Sequence, residues 1–405
     1  MTRVRQALCV VTGVALVAAG GLLGATAGCA SWSQQAKESQ LVGGQASSSE
    51  SDPSLPAQPA VSTQSATQSQ PVGLFGEFPN REEIPFEAGP AQSLVQHTRA
   101  TEGADFDPAM DPTGKLLAFA STRHTREPDL YIKTAGGSAV TQVTSGSAAD
   151  IQPEFSPDGA RLAFASNRAG NFDIWMIGVD GQGATQLTDS PAEEVRPTWA
   201  PDGQRLAYSS LNPQSGQWEL WLLDLRQPGT RKFIGYGLYP QWSPVDELIV
   251  YQRARQRGQQ WFSVWTLRLV DGEPRFPTEV AASSTEAYIL PAFSPDGQRI
   301  VFCAVGGSTA GKSENAMGGA ADLWVIDVDG SQPIRLTEGQ QANYGPRWAK
   351  DGRVYYSSVR SGSENIWSVR PPPAGIRDES APSDQVWEHL ALRRGLGGPV
   401  SDEGR

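Results

Sequence analysis

Between about residue 92 and residue 372 the chain is written in short alternations of apolar and polar residues, each closed by turn residues. Arg161-Leu-Ala-Phe-Ala-Ser166 and Arg299-Ile-Val-Phe302 alternate with a period of two, the mark of half-buried strands. No helical period intervenes. A phrase made of proline, any residue, a large apolar residue and a turn recurs six times. It reads Pro108-Ala-Met110-Asp-Pro-Thr-Gly114, Pro153-Glu-Phe155-Ser-Pro-Asp-Gly159 and Pro197-Thr-Trp199-Ala-Pro-Asp-Gly203 in the first half. It continues as Pro240-Gln-Trp242-Ser-Pro-Val-Asp246, Pro291-Ala-Phe293-Ser-Pro-Asp-Gly297 and Pro346-Arg-Trp348-Ala-Lys-Asp-Gly352. A period in the forties to fifties marks a repeat architecture.

Within each unit, Pro-Asp-Gly presets a tight turn, proline fixing φ and glycine taking the position that needs φ > 0. A second strand follows, then a polar loop, then a third strand such as Asp129-Leu-Tyr131, Asp173-Ile-Trp175, Asp322-Leu-Trp324 or Asn365-Ile-Trp367. Most units then turn into a short fourth strand, as in Gln186-Leu-Thr188 or Arg335-Leu-Thr337. Four short strands per period predict the blade of a β-propeller, so the fold class is all-β with six blades. Eight of the 12 tryptophans fall at two repeat positions, on the first strand (199, 242, 348) and the third (175, 221, 265, 324, 367), which predicts packing between sheets. The sixth unit stops at Pro371-Pro-Pro373, and proline cannot extend a ladder. Its missing outer strand is expected from Ser93-Leu-Val-Gln-His-Thr98 at the front of the ring, with Thr101-Glu-Gly103 read as the echo of Thr337-Glu-Gly339. A latch over about residues 92–100 would leave no open edge.

The wording F/W-S-P-D-G, F-x-S-x-R, D-I/L-W, D-G, x-L-T resembles the propeller repeat of the TolB family, a WD40-like (PD40) repeat, over about residues 92–370. The resemblance implies a six-bladed ring used as a protein-binding face. It does not extend to the α/β domain that precedes the ring in TolB.

The first ninety residues differ. Arg3 and Arg5 precede an apolar run, Ala7–Ala27, which ends in Thr26-Ala27-Gly28-Cys29. This resembles the lipobox of bacterial lipoproteins, and implies a signal peptide over 1–28 and lipidation at Cys29; a single membrane anchor is the competing reading. Ala30 after the cysteine favours, by resemblance to the enteric sorting rule, the outer membrane. Residues 29–91 are rich in Ser, Gln, Ala and Pro and are expected to be a disordered tether with a mean reach of roughly 40–48 Å. The tail over 373–405 is Pro-rich and carries a predicted short helix at about 383–395.

Charge and inventory then narrow the chemistry. The net charge of −11 argues against nucleic acid as a partner. Three histidines and three cysteines leave no His/Cys metal cluster and no disulfide framework, so no metal and no cofactor are expected. Gly306-Gly-Ser-Thr-Ala-Gly311-Lys312-Ser313 satisfies the P-loop pattern, but the glycines that follow deny it the helix whose N-terminus would hold phosphate. Lys312 is read as part of a blade-five insertion and no nucleotide is expected. No G-x-S-x-G nucleophile elbow is present.

In a propeller the loops between second and third strands share a rim with those entering each first strand. The candidate binding residues on that rim are Arg123, Arg168, Arg253, Arg255, Arg257 and Arg360, with Asp105, Asp150 and Glu194 and the aromatic Tyr239, Tyr288 and Tyr344. The competing reading makes the recurring Ser-x-Arg arginines structural, paired with neighbouring aspartates. The expected protein is a monomeric, non-enzymatic, lipid-anchored propeller of the periplasm that binds a protein partner. The alternative is a propeller enzyme or ligand-binding protein acting on a small or glycan substrate at the channel mouth.

Overall fold

The computed structural model of the protein describes residues 94–227, 229–254, 262–283, 285–306, 321–338 and 341–373. The signal peptide, Cys29, the tether, Arg255, Arg257, Lys312 and the C-terminal helix lie outside the described residues.

Alternation with period two, broken every few residues by Pro-Asp-Gly, produces six four-stranded antiparallel sheets. Blade 1 holds β2 (Asp105–Met110), β3 (Leu116–Ser121), β4 (Asp129–Thr134) and β5 (Val140–Gln142). Blade 2 holds β6 (Asp150–Phe155), β7 (Arg161–Ser166), β8 (Asp173–Gly178) and β9 (Thr185–Gln186). Blade 3 runs β10 (Glu193–Trp199), β11 (Arg205–Leu211), β12 (Trp218–Asp224) and β13 (Arg231–Tyr236). Blade 4 runs β14 (Leu238–Trp242), β15 (Leu248–Ala254), β16 (Phe262–Val270) and β17 (Glu273–Ala281). Blade 5 has β18 (Glu286–Phe293), β19 (Arg299–Gly306), β20 (Ala321–Asp327) and β21 (Ile334–Arg335). Blade 6 has β22 (Asn343–Trp348), β23 (Val354–Ser358) and β24 (Asn365–Val369). Its fourth strand is β1 (Val95–Gln96), the front of the chain. Among the described residues there is no helix.

The ring closes in two ways. First strands of successive blades pack on one another, and β2 packs against β22, β23 and β24. The latch then joins the ends: Val95 pairs with Ser368 and Gln96 with Trp367, antiparallel. His97 reaches both sides of the seam, with Nδ1 donating to the Ala135 carbonyl of blade 1 (3.0 Å) and Nε2 accepting from the Ser368 hydroxyl of blade 6 (2.7 Å). That pattern requires a neutral imidazole, and burial holds its pKa below the ordinary value of 6.5. Lys133 of β4 donates to the His97 carbonyl.

The echo within the latch is shifted by three residues from the sequence reading. Thr98, not Thr101, occupies the place of Thr337. The Thr98 hydroxyl accepts the Ile366 amide at 2.9 Å, as Thr337 accepts Leu323, Thr188 accepts Ile174 and Thr144 accepts Leu130, each also at 2.9 Å. Gln96-His97-Thr98 therefore matches Gln186-Leu187-Thr188, with a polar ring in place of leucine. Thr101 is exposed.

Packing follows the repeat. An aromatic ring at the same place in every second strand (Phe119, Phe164, Tyr208, Tyr251, Phe302, Tyr356) is buried. Each contributes about 2–3 kcal/mol of burial. First-strand Trp199 and Trp242 are buried as well, whereas the third-strand tryptophans are only half-buried. The first-strand tryptophans also join blades: Arg161 stacks on Trp199 of the next blade, Arg205 on Trp242 and Arg299 on Trp348, at 4.6–5.0 Å from the ring centres. In the turns, Gly203 (φ 66) and Gly114 (φ 74) hold left-handed backbone that favours glycine, in ordinary contact with Pro157 of the preceding blade and with Asp351 across the seam.

Candidate functional site

Each first strand enters from the rim that the second strand leaves, so the acid opening one and the Ser-x-Arg closing the other become register partners. Asp105 faces Ser121 and Asp150 faces Ser166. A buried carboxylate needs charged or hydrogen-bonded partners, and the arginine fork supplies them. Arg123 Nη2 binds both oxygens of Asp105 at 2.9 and 2.8 Å, its Nε donates to Ser121 Oγ at 3.1 Å, and Ser121 Oγ donates to Asp105 at 2.6 Å. Blade 2 repeats part of the unit: Arg168 Nη2 binds one oxygen of Asp150 at 2.8 Å and its Nε donates to Ser166 Oγ at 2.9 Å. The guanidinium faces are occupied too. Arg123 lies over Phe119 and Tyr131, Arg168 over Phe164 and Trp175, Arg253 over Trp265 and Arg360 over Trp367. The Arg123–Asp105 and Arg168–Asp150 pairs lie within blades, so they fix the angle of each loop rather than joining one sheet to the next.

A second rim unit lies where third strands begin. Asp129 and Asp322 accept from the threonine that closes their blade, Asp173 accepts from Gln186 and the Ser190 amide, and Asn365 takes this position in blade 6, accepting from Thr98. Asp173 is 1% exposed. Burial is the main cause of a pKa lifted to about 6, with the Glu194 and Asp189 carboxylates adding to it against a hydrogen bond from Ser190. An acid whose pKa is higher folded than unfolded binds its proton more tightly in the fold. Its charge therefore destabilises the ring above pH 6, and the cost disappears as pH falls toward 4, amounting to about 3 kcal/mol at most. Asp173→Asn, which copies blade 6, is expected to raise the melting temperature at pH 8 by a few degrees and leave it unchanged at pH 4. A lower melting temperature at pH 8 would contradict this reading of the site.

The rim candidates separate by burial. Asp105, Asp150 and Glu194 are at most 1% exposed, and Glu194 is bound by Arg231 at 2.9 Å. Tyr239, Tyr288 and Tyr344 are buried, so no partner touches their faces without rearrangement. Arg123 and Arg168 keep side-chain exposures of 18% and 27%, and Arg253 and Arg360 are partly exposed. The structure brings Arg168 into a cleft of about 340 Å³ between the loops of blades 1 and 2, lined also by Glu127, Ser145, Ser147, Ala148 and Asn167. Burial raises the Glu127 carboxyl, opposed by Arg126. The sequence reading missed these companions of Arg168. The available signal was Ser145-Gly-Ser-Ala148, a loop of small polar residues entering the same rim.

Residues 91–287 match the family described as TolB beta propeller domain, PD40. An uncharacterized protein of Agrobacterium fabrum is 29% identical over 109 residues, which span 27% of this chain and 32% of that relative's length. Among solved structures, a TolB candidate from Agrobacterium tumefaciens is 21% identical and covers 67% of this chain and 92% of its own, with a TM-score of 0.51. TolB from Acinetobacter baumannii matches over 66% of both chains at 14% identity and a TM-score of 0.46. An enzyme, oligogalacturonate lyase from Vibrio parahaemolyticus, matches 72% of this chain and 97% of its own at 12% identity and a TM-score of 0.49. At 21% identity, the likeness to the Agrobacterium tumefaciens structure shows the fold alone. With its repeat wording, six blades and N-terminal latch, the chain carries a TolB-like propeller and resembles the propeller half of TolB.

Proposed function

We propose that this propeller is a non-enzymatic protein-binding module of the bacterial cell envelope, held near a membrane by lipid on Cys29 and by the segment that follows it. The observation that carries the reading is the cleft of blades 1 and 2. It is an open, polar hollow of about 340 Å³ whose walls are loops and whose arginine is locked by Asp150 and Trp175. A pre-ordered guanidinium beside adaptable serine and asparagine side chains suits capture of an exposed peptide segment, because little side-chain entropy is lost on binding. The TolB-like ring supports an envelope location, and a tether would raise the local concentration of partner. The partly exposed rim arginines Arg253 and Arg360 extend the surface in this reading.

Ser147 is exposed and lines the cleft without a role in the core. Ser147→Trp is therefore expected to fill the hollow and reduce in-cell crosslinking to the partner at least tenfold, with an unchanged melting temperature. Undiminished crosslinking would remove the cleft as the site.

A further inference from the structure

The channel holds charge that the rim does not explain. Each first strand carries a bulge at the residue before its repeat proline. Asp107, Gln152, Arg196, Tyr239 and Leu290 have φ of 50–58° there, and Gly345 has 61°. A left-handed residue before proline is disfavoured, so the surrounding ring must hold it. Most uncharged polar groups at this level are taken by neighbouring backbone. Gln152 accepts the Arg196 amide (2.9 Å), Thr198 accepts Trp242 (3.0 Å), and Gln241 accepts Phe293.

The charged groups reach further. Arg196 of blade 3 passes over blade 2 to bind Asp107 of blade 1 at 3.1 Å. Arg347 of blade 6 passes over blade 1, where the channel residue is only Ala109, and points toward Glu154 of blade 2. That approach stays at 3.6 Å, outside hydrogen-bond range. Nη1 of Arg347 donates to the carbonyl of adjacent Pro346, and Nε has no acceptor although the side chain is 8% exposed. Burial, aided by Arg196, pulls the Arg347 pKa to about 10. The guanidinium is thus desolvated and incompletely partnered, and an unmet donor on a buried charged group is expensive.

We propose that the channel is a binding site for a carboxylate, held by Arg347 beside Arg196. A guanidinium fork matches two carboxylate oxygens, and the unmet Nε supplies one of the two donors. The two arginines, Asp107 and Glu154 cancel in charge, so a single negative charge is better tolerated than the double charge of a phosphate. Glu154 is the built-in competitor: it faces the same guanidinium at a longer distance than a bound ligand would. The ligand is either a small free carboxylic acid or the carboxylate of a peptide. Neither source requires the rim cleft, so this site stands apart from the partner surface above.

The test uses the full chain in sodium acetate against sodium chloride at equal ionic strength, followed by melting temperature and calorimetry. Acetate is expected to bind saturably. Glu154→Gln, which removes the competing charge, is expected to tighten acetate about tenfold, and Arg347→Met to abolish saturable binding. Glu154→Gln keeps the test decisive if the arginine variant fails to fold. An N-acetylated tripeptide acid and its amide separate the sources: binding of the acid alone assigns a peptide carboxylate, and binding of acetate but neither peptide assigns a free acid. Equal behaviour in acetate and chloride for both wild type and Glu154→Gln overturns the proposal. So does acetate binding that neither substitution alters.

Discussion

A chain from which residues 94–100 are deleted is expected to melt about 10 °C or more below the parent. The latch contributes more than two paired residues. His97 and Thr98 amides approach the Ile366 carbonyl, the imidazole bridges Ala135 and Ser368, and Lys133 holds the His97 carbonyl. Thr98 receives the Ile366 amide, and Asn365 receives the Ala100 amide. At about 1 kcal/mol net for each bond, roughly 5 kcal/mol of closure lies in this segment. Its loss would expose the edge of β24 and separate blade 6 from blade 1. Circular dichroism against temperature measures the effect, and an unchanged midpoint would mean that blade 6 stands on three strands.

The second large effect is expected at the bulge ring. Asp107→Ala should cost about 3–5 kcal/mol, because it strands the Arg196 guanidinium, whose side chain is 4% exposed, without its counter-charge. Alanine also fits the left-handed backbone at residue 107 (φ 50°) less well than aspartate does. Removing both charges in Asp107→Ala/Arg196→Met is expected to restore most of the loss, since the penalty belongs to the orphaned charge. Urea denaturation of the three chains reads this directly. A single-variant loss below about 1 kcal/mol would show that water reaches the pair.

Much of the fold could be read along the chain because its cause is local and repeated. Pro-Asp-Gly sets a turn wherever it occurs, and Arg161–Ser166 alternates as a strand in any blade. The latch was legible from an imbalance, a last unit ending at Pro371 and spare residues at the front. Its register was not, since Thr101-Glu-Gly103 matches Thr337 by wording while Thr98 matches it by hydrogen bonding to Ile366. The misleading feature is His97, polar where blades 1, 2 and 5 place Val143, Leu187 and Leu336, because at the seam it must bond across two blades.

The rim was half legible for a similar reason. Ser-x-Arg and the opening aspartate advertise a charged edge, and only three dimensions show that Asp150 consumes much of Arg168 and leaves a cleft beside it. Tyr239 reads as a rim aromatic in sequence, yet its bulge turns it inward beneath Arg196. The channel charges gave no sequence signal. Arg347 and Glu154 are 193 positions apart and occupy the variable place of the repeat phrase.

The central claim is that the front of the chain completes the last blade, and a crosslink tests it most directly. Gln96 Nε2 lies 3.4 Å from Ser361 Oγ, on exposed positions far apart in sequence. In the Gln96→Cys/Ser361→Cys chain, a short bis-maleimide, whose spacer replaces the reach of the lost glutamine side chain, should join the peptides carrying positions 96 and 361 in the folded protein and not in denaturing urea. Peptide mapping that finds no such link in the folded protein, or finds it equally in urea, would contradict the closed ring.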